Sequence, residues 1–328
     1  MKKKIKQLYH TKKNQKLPIW NLKDLYSSPN CKEIQKDLKL INKKCLLFEK
    51  KFFQKVLSCN PKELYNAIIQ LEKIDIKIDK ILSYAYLLLA ENNNIEKNKI
   101  FFQHIQEKIT DYSSSTIFFN LELNLIKDTK LKNFLKDEQL KKYKNWIVNK
   151  RSFKPYQLDL KSEKLLQDKS ITSNYAWVRL FDDIISSLKF PYKNKKLTSA
   201  EIFNLLSDKK YQTRKIAAKS VAKILGDNIK LFSTITNNLA KDKSINDSWR
   251  KLPTPVSSRN LSNSVEDKVV DSLVNTVIES YPNLSHRYYL LKAKWFGKKQ
   301  LMFWDRNAPL PFQNNKYYSW LEAKEIVL

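Results

Sequence analysis

The chain has 328 residues, 42% of them hydrophobic and 12% aromatic, which supplies material for one large or two ordinary cores and excludes a disordered polypeptide. Only two glycines, Gly226 and Gly297, are present, so glycine-rich phosphate loops and the nucleotide folds built on them are excluded. A formal charge of +29 raises nucleic acid as a partner, but lysine, asparagine and isoleucine are abundant throughout and the basic residues form no single stripe. The charge therefore reads as codon drift in an AT-rich genome.

In chain order, residues 1–30 read as an extended arm carrying Leu17, Ile19, Trp20, Leu22, Leu25 and Tyr26, isolated apolar groups expected to dock on a helical body. The start has a basic Lys2-Lys3-Lys4 but no apolar core behind it, so it does not read as a signal peptide. Ile34, Leu38, Ile41, Cys45, Phe48 and Phe52 recur at steps of four and three, one face of an amphipathic helix. Asn60-Pro61 opens a second helix with the stripe Leu64, Ile68, Leu71, Ile78, Leu82, Ala85 and Leu89. A third is predicted from Ile95 into the 120s, carrying Phe101, Phe102, Ile105, Ile109 and Phe118. These make a long-helix lobe over residues 31–115, followed by shorter helices over 116–328. In that second part Trp177, Leu180, Phe181, Ile184 and Ile185 form a stripe, and Leu188 to Leu197 reads as a short extended excursion. Thr198 with Glu201 forms a capping box, Gly226 is placed after a helix end, and Ser264 with Asp267 caps a helix running to Tyr281. Ser285 is expected to open the next helix and Gly297 to close it. The fold class is all-α.

Cys31, Cys45 and Cys59 are odd in number, fit no zinc-ligand spacing and point to a reducing compartment. The longest apolar run, Ala85 to Ala90, is far too short for a bilayer, so the chain reads as cytoplasmic with no membrane partner.

Two stretches are more specific than any periodicity. One is Leu17-Pro18-Ile19-Trp20-Asn21-Leu22-Lys23-Asp24-Leu25-Tyr26-Ser27-Ser28-Pro29. The other runs from Asp247 to Pro311 and contains Trp249-Arg250, Arg259-Asn260-Leu261-Ser262-Asn263, Ser285-His286-Arg287-Tyr288-Tyr289 and Trp304-Asp305-Arg306-Asn307-Ala308-Pro309. Arg151-Ser152-Phe153-Lys154-Pro155 and Ala176-Trp177-Val178-Arg179 fall between them in order. Together they resemble the oligoendopeptidase F branch of the thimet-oligopeptidase-like zinc metallopeptidases. The resemblance implies a clam-like helical body around a channel for short peptides. It also implies a zinc ion held by two histidines of an H-E-x-x-H helix and a later glutamate, with the intervening glutamate as general base. No such motif is present: the histidines are His10, His104 and His286. The motif is expected beyond Leu328, which makes this chain an N-terminal portion with no catalytic or metal residue of its own.

The resemblance further implies channel-lining or bracing roles for Arg259, Asn263, His286, Arg287, Tyr288, Tyr289, Asp305 and Arg306. For Asp305 and Arg306 the role is an interdomain ion pair at a tight turn before Pro309; the bland reading sets local support against all of this, with Tyr288 and Leu291 packing inward and His104 facing solvent. A separately encoded catalytic half and short peptides are the expected partners, and zinc is expected only in the complete enzyme. The competing readings are a metal-free helical module that binds peptides or a protein, and, from charge alone, a nucleic-acid binder.

Overall fold

The computed structural model describes residues 20–312 and 318–328; the arm from Met1 to Ile19 lies outside them. It is all-α apart from one two-stranded hairpin, as the periodicity predicts. The chain divides into two compact units between Phe119 and Asn120.

The first unit is built on α1 (Lys32–Phe52), α2 (Pro61–Glu91) and α3 (Glu96–Ser113), each packed on the other two. The six-residue stripe of α1 is buried in full, Cys45 included, whose thiol is pushed up to about 11 by burial. Phe48 meets Phe52, Phe118 and Phe119 with ring centroids 5.0 to 5.7 Å apart. Burying one such ring stabilises by roughly 1.5–3 kcal/mol before packing terms. Asn60 starts α2 with a complete capping box: its Oδ1 accepts from the Glu63 N–H at 2.9 Å and its own N–H donates to Glu63 at 2.8 Å. The buried line of α2 drifts from the expected one, taking Ile81 and Tyr84 in place of Leu82 and Leu89, because 3.6 residues per turn moves a fixed-step stripe around a 31-residue helix.

The arm docks through Tyr26, 3% exposed, not through Trp20, 84% exposed. Tyr26 donates to Asp37 at 2.8 Å, and Asp37 also accepts from Lys77 at 2.8 Å. Burial alone would raise the Asp37 pKa, but these two hydrogen bonds outweigh it and hold the carboxyl below its ordinary value. The third helix does not run unbroken into the 120s. A 3₁₀ turn at Ser114–Thr116 separates α3 from α4 (Ile117–Leu125). Ser113 and Thr116 hydroxyls donate to the carbonyls of Thr110 and Ser113, the competition with helical bonding that a Ser-Ser-Ser-Thr run invites. His104 is exposed on α3, as expected.

The second unit continues through short helices: α5 (Asp128–Phe134), α6 (Glu138–Lys141), α7 (Lys144–Arg151), α8 (Leu160–Ser170) and α9 (Asn174–Ser187). Arg151 caps the end of α4 by donating to the Leu123 and Ile126 carbonyls at 2.6 and 2.9 Å, and pairs with Asp128 at 2.6 Å. The extended excursion is a hairpin, β1 (Phe190–Tyr192) with β2 (Lys195–Leu197), antiparallel with Phe190 opposite Leu197. It is followed by α10 (Ser199–Leu205), capped by the Thr198–Glu201 box, and α11 (Tyr211–Asp227). Phe190, Ile202 and Ala217 form their common core.

Gly226 lies inside α11 rather than beyond it; the helix ends at Asn228, whose side chain donates to the Ile224 carbonyl at 2.9 Å. Next, α12 (Ile229–Arg250) packs on α9, and α13 (Ser257–Ser262) leads to α14 (Asp267–Ser280). Ser264 has φ +54°, incompatible with the extended backbone of an N-cap, so it does not cap α14. Asp267 instead accepts from the buried Asn260 at 2.8 Å.

Nor does Ser285 open a helix. It sits in a π turn, Pro282–His286, in which the His286 N–H donates to the Tyr281 carbonyl five residues back at 2.9 Å. Pro282 cannot donate, so the helical ladder widens here and resumes as α15 (Arg287–Trp295). Gly297, at φ +65°, ends α15 as expected, with Lys298 N–H bonded to the Ala293 carbonyl. A last helix, α16 (Trp320–Val327), is capped by a Ser319–Glu322 box.

Candidate functional site

In the second unit a cluster of buried charge lies beside an open depression. Arg214, on α11 one helical turn before Ala217 and Ala218, is 1% exposed. Its guanidinium donates to Asp305 at 2.6 Å and to the carbonyls of Trp304, Asp208 and Lys209. Asp305, fully buried, also takes Lys298 at 2.6 Å, and its Oδ2 accepts from the Met302 N–H at 3.3 Å. Burial pushes the Asp305 pKa up, yet the bonds from Lys298 and Arg214 outweigh it and keep the carboxyl ionised below its ordinary value. The Lys298 ammonium also lies 4.1 Å from the Tyr211 ring centre. Lys292, 2% exposed, donates to the Arg306 carbonyl at 2.7 Å. Asp305 is thus paired with Lys298, seven positions earlier, and with Arg214, 91 positions earlier, not with Arg306.

Beyond this cluster lies a depression of about 460 Å³ between α15 and the segment 299–306. His286, Tyr289 and Arg306 line it, joined by Lys299, Gln300 and Phe303. Three of the residues singled out in sequence are therefore brought together. Arg287 and Tyr288 are exposed on α15 outside it, Tyr288 and Leu291 being about two-fifths exposed rather than packed inward. Arg259 and Asn263 belong to another place: both are exposed, and the Asn263 N–H closes α13 on the Arg259 carbonyl at 2.9 Å. Sequence reasoning missed Arg214, Lys298 and Lys299. Arg214 left a trace only in its spacing, three and four residues before Ala217 and Ala218 on a buried helix face.

The zinc that the resemblance implies finds no fit in these residues. His104 is on the exposed side of α3, His286 is on the rim of the depression, and among the described residues no three His, Cys, Asp or Glu side chains converge as a metal site. Among the described residues, too, no helix is long and apolar enough to cross a membrane.

Residues 122–190, from within α4 to the first residue of β1, match the family model described as Oligopeptidase F. Over that segment the chain is similar to oligopeptidase F. No curated protein matches it in sequence. Three solved structures share its fold. Oligoendopeptidase-F from Enterococcus faecium has a TM-score of 0.74 and 18% identity, covering 84% of this chain and 56% of that one. A protein of Chlamydophila abortus described as a peptidase has a TM-score of 0.61 and 16% identity, covering 94% of this chain and 52% of that one. One of Bacillus anthracis str. Ames described as an oligoendopeptidase F has a TM-score of 0.58 and 12% identity, with coverages of 92% and 50%. The chain spans about half the length of the solved structures it matches. The matched segment contains Arg151 and Glu163, whose bonds help hold α4, α5 and α8 in place.

Proposed function

We propose that these 328 residues form the non-catalytic helical part of an oligoendopeptidase F-like zinc peptidase, acting on short peptides only when completed by a catalytic half. The observation that carries this reading is the match of residues 122–190 to the Oligopeptidase F family model, on a fold shared with about half of the Enterococcus faecium enzyme. Chemistry supports it as well. Peptide hydrolysis at zinc needs three placed donors and a base for the bound water, and the three histidines of this chain include no H-E-x-x-H pair. On this reading the chain contributes walls and orientation, and zinc and base come from the partner.

Co-expression tests it. The chain with an H-E-x-x-H-containing half of an oligoendopeptidase F is expected to co-purify with it and to turn over a quenched fluorescent peptide. A half that neither associates with the chain nor gains activity from it would contradict the proposal.

A further inference from the structure

The buried and half-buried charges beside the depression do not balance. Arg214, Lys292 and Lys298 bring three positive charges against the single carboxylate of Asp305. Lys292 has a carbonyl as its hydrogen-bond acceptor rather than a carboxylate, and burial, reinforced by the charge of Arg214, lowers its pKa from the ordinary lysine value. Donors outnumber acceptors in the same segment: the Trp304 indole Nε1 is buried without a partner among the described residues.

Across the wall formed by Arg306, the depression is lined by further cations, Lys299 and Arg306, with His286 at its edge and no aspartate or glutamate. The side chains of Lys299 and Arg306 make no hydrogen bond or ion pair with another described residue. Unbalanced charge behind low-dielectric walls focuses a positive potential into a cleft. The remaining walls, Leu290, Leu301 and Phe303, are apolar, while Tyr289 and Gln300 offer a hydroxyl and a carboxamide, groups that pair with peptide N–H and C=O. The size suits one or two peptide residues, at the lower end of the roughly 300–1,000 Å³ of small-ligand sites.

We infer that this depression binds the C-terminal carboxylate of a short peptide whose last side chain is apolar. The carboxylate meets Arg306 and Lys299, and the side chain lies on the Leu290–Leu301–Phe303 wall. The inference rests on the reading of the chain as part of a peptide-handling molecule, but it needs neither zinc nor turnover.

The test is calorimetric titration of the full 328-residue chain with an N-acetylated tetrapeptide ending in phenylalanine, as the free acid and as the C-terminal amide. The acid is expected to bind about ten-fold more tightly, a gap that narrows as salt is raised. Arg306→Gln combined with Lys299→Gln is expected to abolish the gap without changing the melting temperature, since both side chains are exposed and the bond from Lys292 is to the Arg306 backbone. Equal affinities, no binding, or a gap that survives in the variant would overturn the inference. Octanoate binding as tightly as the acid peptide would overturn the assignment to a peptide. Failure of the co-expression test with the acid–amide gap intact would strike only the peptidase reading; equal affinities with restored turnover would strike only this one.

Discussion

Asp305 and Arg214 show what a single residue decides here. Both are at most 1% exposed, 91 positions apart, and joined at 2.6 Å. Asp305→Ala would leave the guanidinium buried with no counter-charge. That change is expected to cost about 3 kcal/mol and to lower the melting temperature of the second unit by roughly 10 °C, read by differential scanning calorimetry. The pH dependence has a definite sign. The folded Asp305 pKa is depressed, so below the ordinary carboxylate pKa of about 4 the unfolded chain binds the proton first. The stabilisation from Asp305 is therefore complete above that pH and is lost as pH falls through it toward the folded value. The difference in melting temperature between the parent chain and Asp305→Ala is expected to shrink on acidification from pH 5 to pH 3; a constant difference would contradict the assignment. Asp305 was visible in sequence as part of Trp304-Asp305-Arg306, but its partner was not. Adjacency suggested Arg306, whereas burial selects the residue on another helix that can bring a charge inward, and no local pattern encodes that choice.

At the scale of elements, periodicity and caps specify the first unit well. The buried face of α1 is the predicted one residue for residue, and the Asn60 box, like the Thr198 box in the second unit, forms where side-chain chemistry requires it. The misreadings cluster where the backbone departs from regular helix: the hydroxyl-rich 3₁₀ turn after α3, the left-handed Ser264, and the π turn at Pro282. Each depends on a competition between side-chain and main-chain bonding too close to decide from spacing alone. Long-range clasps were equally hidden. Arg250, noted as half of Trp249-Arg250, makes a fork-like pair with Glu163, both bonds 2.7 Å, and donates to the Tyr156 carbonyl at 3.3 Å. This ties the end of α12 to α8. A lysine supplies a point charge and cannot reproduce the planar fork. Arg250→Lys is accordingly expected to lose roughly 1–3 kcal/mol, read from the midpoint of urea unfolding. An unchanged midpoint would show that the second bond contributes nothing.

On the scale of the whole molecule, the second unit leaves apolar surface in water. Val269, Leu273, Val274, Val277 and Ile278 share one side of α14, and each is 44 to 63% exposed. Trp320, Leu321, Ile326 and Val327 on α16 are 58 to 82% exposed. Surfaces of this kind in soluble proteins mark contact sites or drive association. The chain is expected to bind a hydrophobic dye in its native state, and Leu273→Lys combined with Val277→Lys to reduce that signal markedly. Native dye fluorescence no greater than that of a monomeric control protein would contradict this.

The central proposal is that the chain forms the non-catalytic part of an oligoendopeptidase F-like zinc peptidase. Elemental analysis of the purified 328-residue chain, loaded with zinc and dialysed, followed by assay on a quenched fluorescent peptide, addresses it most directly. The account predicts zinc far below one per chain and no turnover above buffer. One zinc per chain with peptide cleavage by the chain alone would contradict it.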